Sequence, residues 1–440
     1  MLATDVHRTL RRNLLVDGYD FVLDAELSRG SWLVDARDGC RYLDMFSFFG
    51  ANPLGMNHPA LADDADYREL LGRVAVNKPP NSGVYTTHYA EFVATFVRVV
   101  GDPELPHLFF IEGGAGAVEN ALKVAFDWKS RRNEAAGRSP DLGTQVMHLT
   151  QAFHGRSGYT ISLTNSAAVK VARYPKFDWP RIPVPAVRFP LEEHRAEVEA
   201  AEDRSLAAAR AAFEARPHDI ACFIAEPIQA EGGDNHMRPE FLAAMQAMCR
   251  EYDALFVVDE VQTGCGLTGT PWAYQQLGLA PDVVAFGKKF QVCGIMAGRR
   301  VDDVADNAFR VSSRINSTWG GNLTDMVRAR RILEVIEAAD LFDGVARLGA
   351  GLLAGLTGLA SRYPEVLTNA RGRGLMCAVD LPDPATRDEV VSAMVADERV
   401  VVLPSGERAL RFRPTLTVTE DELRLACSAL GRVTAAVAGS

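Results

Sequence analysis

The sequence predicts an α/β fold: a large domain with a mostly parallel mixed sheet covered by helices, and a small α+β domain drawn from both chain ends. Three observations carry this reading. Near-continuous apolar runs alternate with helical patterns between about residues 100 and 340, as a sheet buried on both faces requires. The stretches 20–50 and 335 onward keep a different rhythm, with Gly-punctuated alternation at the start and short strands between helices at the end. Polar residues stand at the ends of several apolar runs, where parallel sheets gather their functional groups. The 440 residues suffice for two or three domains. The expected division is 1–60 as the N-terminal part of the small domain, 61–330 as the large domain and 331–440 as the C-terminal part of the small domain.

Each element follows from local pattern. FVLDAELSRGSWLVDARDGCRYLDM reads as a short antiparallel meander with Gly at its turns. LPHLFFIE (105–112) is a strand ending at Gly113 and Gly114, and AVENALKVAFDWKSRR (117–132) has helical periodicity. TQVMHLT (144–150), IACFIAEPI (220–228), ALFVVDEV (254–261) and DVVAFGK (282–288) read as buried strands. SLAAARAAFEAR (205–216), PEFLAAMQAMCREYD (239–253) and TDMVRARRILEVIEAA (324–339) read as helices between or after them. LGAGLLAGLTGLA (348–360) is too short for a membrane span and reads as a buried helix.

Composition narrows the function. The chain is 48% hydrophobic and 24% charged, as soluble enzymes are, and carries a net charge of −10. That charge argues against nucleic acid or an anionic membrane as partner. MLATDVHRTLRRNLL has no apolar core with a small-residue cleavage site, so secretion is not expected. The seven cysteines are scattered with no CxxC spacing, which fits reduced thiols in the cytoplasm. The nine histidines form no HxxxH pair, so no metal site is expected.

Three strand ends carry polar residues: Glu226 in FIAEP; Asp259, with Glu260 and Gln262, in FVVDEVQTG; and Lys288 in PDVVAFGKKF. Singly, strand-end acids often cap a helix and a strand-end lysine is often solvated. On successive strands of one sheet they converge on one crevice. A lysine amine there can form a Schiff base with a carbonyl, as pyridoxal phosphate is held. A carboxylate facing the pyridine nitrogen keeps the ring an electron acceptor. Asp259 is the choice for that carboxylate and Lys288 for the amine.

A phosphate needs donors. EGGAGAVENALK (112–123) places Gly113, Gly114 and Ala115 directly before a helix, where the backbone and the helix N-terminus favour an anion. It is neither a dinucleotide fingerprint nor a Walker loop. QAFHGRSG (151–158) follows a strand and offers Phe153 to stack on a planar ring, His154 as a hydrogen-bonder, and Arg156 for a bidentate carboxylate contact or a surface ion pair.

GGAGAVENALK, AFHGRSG, FIAEPIQAEGG, VVDEVQTGCGLTG, PDVVAFGKK, NSTWGGN and RFRP together resemble the class III aminotransferases of the pyridoxal-phosphate fold type I group. They run in family order from about residue 112 to 414. Within the family, FDWKSR, GCGLTGTPWAYQQL, FGKKFQVCGIMAGRR and RGRGLMCA are most similar to the lysine 6-aminotransferase subgroup. The resemblance implies pyridoxal 5'-phosphate as cofactor and Lys288, not Lys289, as the covalent lysine. It implies that Gly114 and Ala115 match the phosphate loop, with Ala115 standing where many relatives carry a hydroxyl. It implies that Phe153 stacks, that His154 and Glu226 belong to the cofactor pocket, and that Gln262 bonds the ring hydroxyl. Thr318 would reach the phosphate of a partner subunit, making the protein a homodimer with shared sites. The implied reaction moves the ε-amino group of L-lysine to 2-oxoglutarate. Arg156 would anchor the distant α-carboxylate of lysine, and Asn316 would also bind substrate. Arg411, with Arg413 as fallback, would take the α-carboxylate of glutamate, and Glu231 would pair with this arginine while lysine reacts. Ornithine and 4-aminobutyrate aminotransferases are the near alternatives; a racemase, a decarboxylase or a non-catalytic scaffold protein is more distant.

Overall fold

The computed structural model of the chain describes residues 1–439. After two short helical segments, Ala3–Asp5 and Val6–Leu10, come the antiparallel strands β1 (Trp32–Val34) and β2 (Arg41–Asp44). The middle supplies β3 (His107–Ile111), β4 (Gln145–Leu149), β5 (Arg181–Ile182) and β6 (Ile220–Ala225). A small hairpin follows, β7 (Ile228–Gln229) and β8 (Asn235–His236), and then β9 (Leu255–Asp259), β10 (Val283–Phe286) and β11 (Cys293–Ala297). The last third adds β12 (Thr368–Arg373), β13 (Met376–Asp380), β14 (Val400–Val401), β15 (Leu403–Ser405) and β16 (Ala409–Phe412).

Seven strands make the large sheet, in the order β3-β11-β10-β9-β6-β4-β5. The neighbours β10, β9, β6, β4 and β5 run parallel, while β11 is antiparallel to both β10 and β3. Every residue of β6, β9 and β10 is buried, which is why these strands read as continuous apolar runs. The helix Gly114–Ala135 packs on β6, β10 and β11, and the helix Pro239–Glu251 packs on β6 and β9. Because β4, β6, β9 and β10 are parallel, their carboxyl ends share one edge of the sheet. That edge receives residues 151–156, Glu226, Asp259 and Lys288.

The chain ends meet in a second unit. β14 runs parallel to β2, with Val400 opposite Leu43, so residues from both termini share one small sheet. β12, β13, β16 and β15 form an antiparallel sheet beside it. The turn after β2 is strained. Ser47, Phe48, Phe49 and Gly50 all have left-handed φ, at 38°, 53°, 60° and 77°. Such values cost non-glycine residues on the order of 1–3 kcal/mol each and need outside support. Asp44 Oδ1 supplies some by accepting from the N–H groups of Phe46 (2.9 Å) and Ser47 (2.7 Å). Ser47 Oγ donates to the Arg413 carbonyl at 2.5 Å.

Four expectations need correction. The helix expected from about residue 205 begins at Leu191 and runs to Ala215. Its first half, LEEHRAEVEAAEDR, is so charged that no apolar stripe announces it. The domain boundary drawn at 330/331 falls inside the helix Leu323–Ala338, which runs unbroken against the helix Thr87–Val100. Residues 47–50 form the left-handed turn instead of continuing the meander. LGAGLLAGLTGLA belongs to a longer helix, Leu341–Arg362, with one buried stripe of Val345, Gly349, Leu352 and Leu356. This helix is long and apolar enough to cross a membrane by length and composition alone, and it packs on β12, β13 and the C-terminal helix Glu420–Ala438.

Two glycines of that helix should behave oppositely. A Cβ at Gly349 would lie 2.1 Å from the Gly374 carbonyl oxygen, whereas a Cβ at Gly351 meets nothing within 4 Å. Gly349→Ala is expected to destabilise by about 1–3 kcal/mol through overpacking. Gly351→Ala is expected to stabilise by up to about 1 kcal/mol through helix propensity. Thermal melts of the two variants check both signs.

Candidate active site

The carboxyl edge of the sheet encloses a cavity of about 400 Å³, within the size range of small-molecule sites. Its floor is an acid–imidazole contact. Asp259 ends β9, and its Oδ2 lies 2.7 Å from His154 Nδ1, while its Oδ1 accepts from the Val261 N–H at 3.0 Å. Burial works against a charged imidazole here, but the hydrogen bond to Asp259 and the negative charges of Asp259 and Glu226 outweigh it and raise the His154 pKa. His154 Nε2 is buried and without a partner among the described residues. Glu226 ends β6 and clamps the backbone, accepting from Phe153 N–H and Ala230 N–H, each at 3.0 Å. Burial pushes its carboxyl up to about 7. This clamp fixes the main chain of Phe153, whose ring lines the cavity.

The two lysines after β10 diverge. Gly287 carries the chain out of the strand, Lys288 has a left-handed φ of 45°, and its side chain lines the cavity. Its amine forms no hydrogen bond with a described residue. Burial, and after it the nearby Arg411 charge, pull its pKa down to about 8. Lys289 turns the other way. It is fully buried, and its Nζ donates to the Gly50 carbonyl at 2.7 Å, on the strained turn of the small unit. Burial brings its pKa down to about 7.

Opposite the floor, the helix Gly114–Ala135 points its N-terminus at the cavity. Gly114 and Ala115 line it in the helix's first turn, whose N–H groups have no partners within the helix. A Cβ on Gly114 would meet Val261 Cγ1 at 2.9 Å, and a Cβ on Gly155 would meet Ala115 Cβ at 2.6 Å. Glycine at both positions lets helix and loop close around the cavity. Arg156 lines the exposed side, and its guanidinium has no ion-pair partner among the described residues.

A helix N-terminus for an anion, an aromatic wall, a buried acid–imidazole pair and an unbonded amine form a donor set that fits pyridoxal phosphate in charge and size.

Arg411 and Glu231 sit beside this cavity. Arg411 lies on β16 and hydrogen-bonds Glu231 Oε1. Its other terminal nitrogen is 3.4 Å from the Oε1 of Gln262, which lines the cavity. Glu231 stands in the turn between β7 and β8. Burial raises its carboxyl pKa, but Arg411 and Lys170 bring it down to about 2. Arg413, the fallback, is completely buried and committed elsewhere. It pairs with Asp234 and donates from Nε to Gln262 Oε1 at 3.1 Å. The geometry therefore separates the two arginines: Arg411 borders the cavity, while Arg413 is held by Asp234.

The structure brings Gly114, Ala115, Phe153, His154, Arg156, Glu226, Asp259, Gln262 and Lys288 into one cavity. Asn316 and Thr318 lie outside their own chain's cavity, on an exposed segment held by Ser82 Oγ donating to the Thr318 carbonyl at 2.9 Å. Val118, Val261 and Cys293 line the cavity and were not anticipated, since apolar residues and an isolated cysteine carry no chemical signature. Lys170 and Asp234 were also missed, because their partners are distant in sequence.

The family model for class-III aminotransferases matches residues 16–434. Over 425 residues the chain is 62% identical to the L-lysine-epsilon aminotransferase of Mycobacterium tuberculosis, covering 97% of this chain and 94% of that one. It is 59% identical to the enzyme of the same name from Streptomyces clavuligerus, over 100% of this chain and 96% of the relative. The structure superposes on that of the lysine aminotransferase from M. tuberculosis in the internal aldimine form with a TM-score of 0.97, at 61% identity and full coverage of both chains. With its fold and nearly its whole length in agreement, this chain belongs to the class III aminotransferases, which work with pyridoxal phosphate.

Proposed function

We propose that this protein transfers the ε-amino group of L-lysine to 2-oxoglutarate, giving 2-aminoadipate 6-semialdehyde and L-glutamate. Its similarity to relatives named for lysine ε-amino transfer supports the reaction. The observation that carries it is the Glu231–Arg411 ion pair beside the cavity. The two substrates differ at both ends. Lysine presents a distal amine and needs its α-carboxylate held far away, where Arg156 stands unpaired. Glutamate presents an α-amine and needs its α-carboxylate held close, which is Arg411's place. An unpaired guanidinium beside lysine's aliphatic chain would be costly. Glu231 neutralises it in that half-reaction and turns aside in the other.

When bound, the cofactor supplies an electron sink at the carbon that bears the reacting amine. Asp259, held by His154, provides the fixed negative charge for the ring nitrogen. The first-turn N–H groups of Gly114 and Ala115 take the phosphate, and Gln262 serves the ring hydroxyl. Lys288 Nζ, neutral in a good fraction of molecules near pH 8, is the base that removes the proton from the substrate carbon and the acid that returns it. Asn316 and Thr318, exposed on this chain, serve the cavity of a second copy. The exposed Val84, Tyr85, Val169, Tyr174, Phe177 and Trp319 supply apolar surface for that contact. The seven free thiols suit a reducing cytoplasm.

Four measurements test these roles. Borohydride is expected to fix pyridoxal phosphate to wild type and to Lys289→Ala but not to Lys288→Ala. Recombination of the cofactor-free protein should speed up with pH and level off above about 8, the Lys288 value, whereas an ordinary lysine would keep rising toward about 10.4.

Absorbance changes in single half-reactions with lysine, ornithine, 4-aminobutyrate and glutamate should show lysine as the fastest ω-amine donor. Glu231→Ala should slow the lysine half by about tenfold or more and spare glutamate, as expected for one uncompensated charge in a partly buried site. Equal slowing of both halves would sink the switch. Size-exclusion runs should show cofactor retained by dimers and lost from monomers; a monomer that keeps it would exclude a shared site.

A further inference from the structure

Glu231 has a second cation that the exchange with Arg411 leaves unexplained. Lys170 closes the short helical turn Ala168–Lys170, which lies between the Phe153 segment and β5. Its Nζ is 2.7 Å from Glu231 Oε2, while Arg411 holds the other oxygen, Oε1. The same ammonium lies 5.1 Å from the centre of the Phe153 ring, at the edge of the cavity. Arg411 is nearly inaccessible at 2% exposure, whereas Lys170 and Glu231 remain 25% and 23% exposed. The Glu231 backbone is separately pinned, because its carbonyl accepts from the Gly406 N–H at 3.1 Å. Departure from Arg411 is therefore a side-chain rotation, and the rotating carboxylate already touches its next partner.

The arrangement is two cations on one anion. While Glu231 bridges them, Lys170 gains attraction from the carboxylate but loses part of it to repulsion from Arg411. Once a substrate carboxylate occupies Arg411, that repulsion is neutralised and Glu231 has lost its first partner. A partly buried carboxylate without a counter-ion is unfavourable. Lys170 then counts for more than it did before, so it favours the glutamate-side state over the lysine-side state.

We propose that Lys170 is a positioning residue that holds Glu231 after it leaves Arg411, and so sets the affinity for glutamate and 2-oxoglutarate relative to lysine. This rests on the reading of Arg411 and Glu231 given above. The test uses the holoenzyme and reads apparent Kd and maximal rate for both half-reactions by absorbance. In Lys170→Met, the apparent Kd for glutamate should rise about five-fold, and that for lysine by less than about two-fold, as fits an ion pair that is partly solvent-screened. Lys170→Arg should restore the ratio. In a Glu231→Ala background, Lys170→Met should have no further selective effect, because the side chain it positions is gone.

Equal shifts for both substrates would overturn the proposal, since a structural role moves both alike. A selective effect that persists without Glu231 would also overturn it, by showing that Lys170 meets the substrate directly. Arg411→Ala separates this from the underlying reading. If that variant keeps its glutamate affinity, the switch itself fails. If it loses glutamate affinity selectively while Lys170→Met does not, only the role of Lys170 fails.

Discussion

The site depends on the contact between Asp259 and His154. An acid at the end of a fully buried strand must be paired, and the partner comes from the loop after β4, two strands away. The contact fixes the floor of the cavity and ties two strand ends together. It also keeps a negative charge in the interior where a pyridine nitrogen would be held. Glu226, on the strand between them, does a different job: it holds the main chain of Phe153 and Ala230 with its two oxygens. Two acids on adjacent strands thus divide the work, one electrostatic and one architectural.

The rest of the charge around the cavity is unevenly paired. Arg411 has Glu231, Arg413 has Asp234, and Arg156 has no partner among the described residues. Arg413, sealed in the interior, is a structural cation whose neighbours are all accounted for. Arg411 differs because its partner is partly exposed, at 23%. The half-exposed pair and the sealed one stand side by side, Arg411 on β16 and Arg413 one residue past its end.

Much of this was legible in the sequence. Glu226, Asp259 and Lys288 stood out because polar side chains at the ends of apolar strands have few ordinary reasons to be there. The glycine-led helix at 114 was visible for the same kind of reason. Long-range pairing was not visible. Lys170 finds Glu231 across 61 positions, Arg413 finds Asp234 across 179, and Lys289 finds Gly50 across 239, so no local pattern registers them. The charged first half of the helix from Leu191 hid its start, because a helix lacking an apolar stripe has no periodic signature. Choosing between Lys288 and Lys289 needed either the family resemblance or the backbone. Both follow the same strand, and only the left-handed φ at 288 sends one amine inward to the cavity and the other toward the small unit.

The bond from Lys289 to the Gly50 carbonyl has a mechanical meaning. It joins the residue after Lys288 to a turn wound against its natural hand, and that turn follows β2 of the sheet built from both chain termini. The large sheet and the terminal sheet are thereby joined right beside the cavity. Residue 50, far away along the chain, thus lies one hydrogen bond from the segment that carries Lys288.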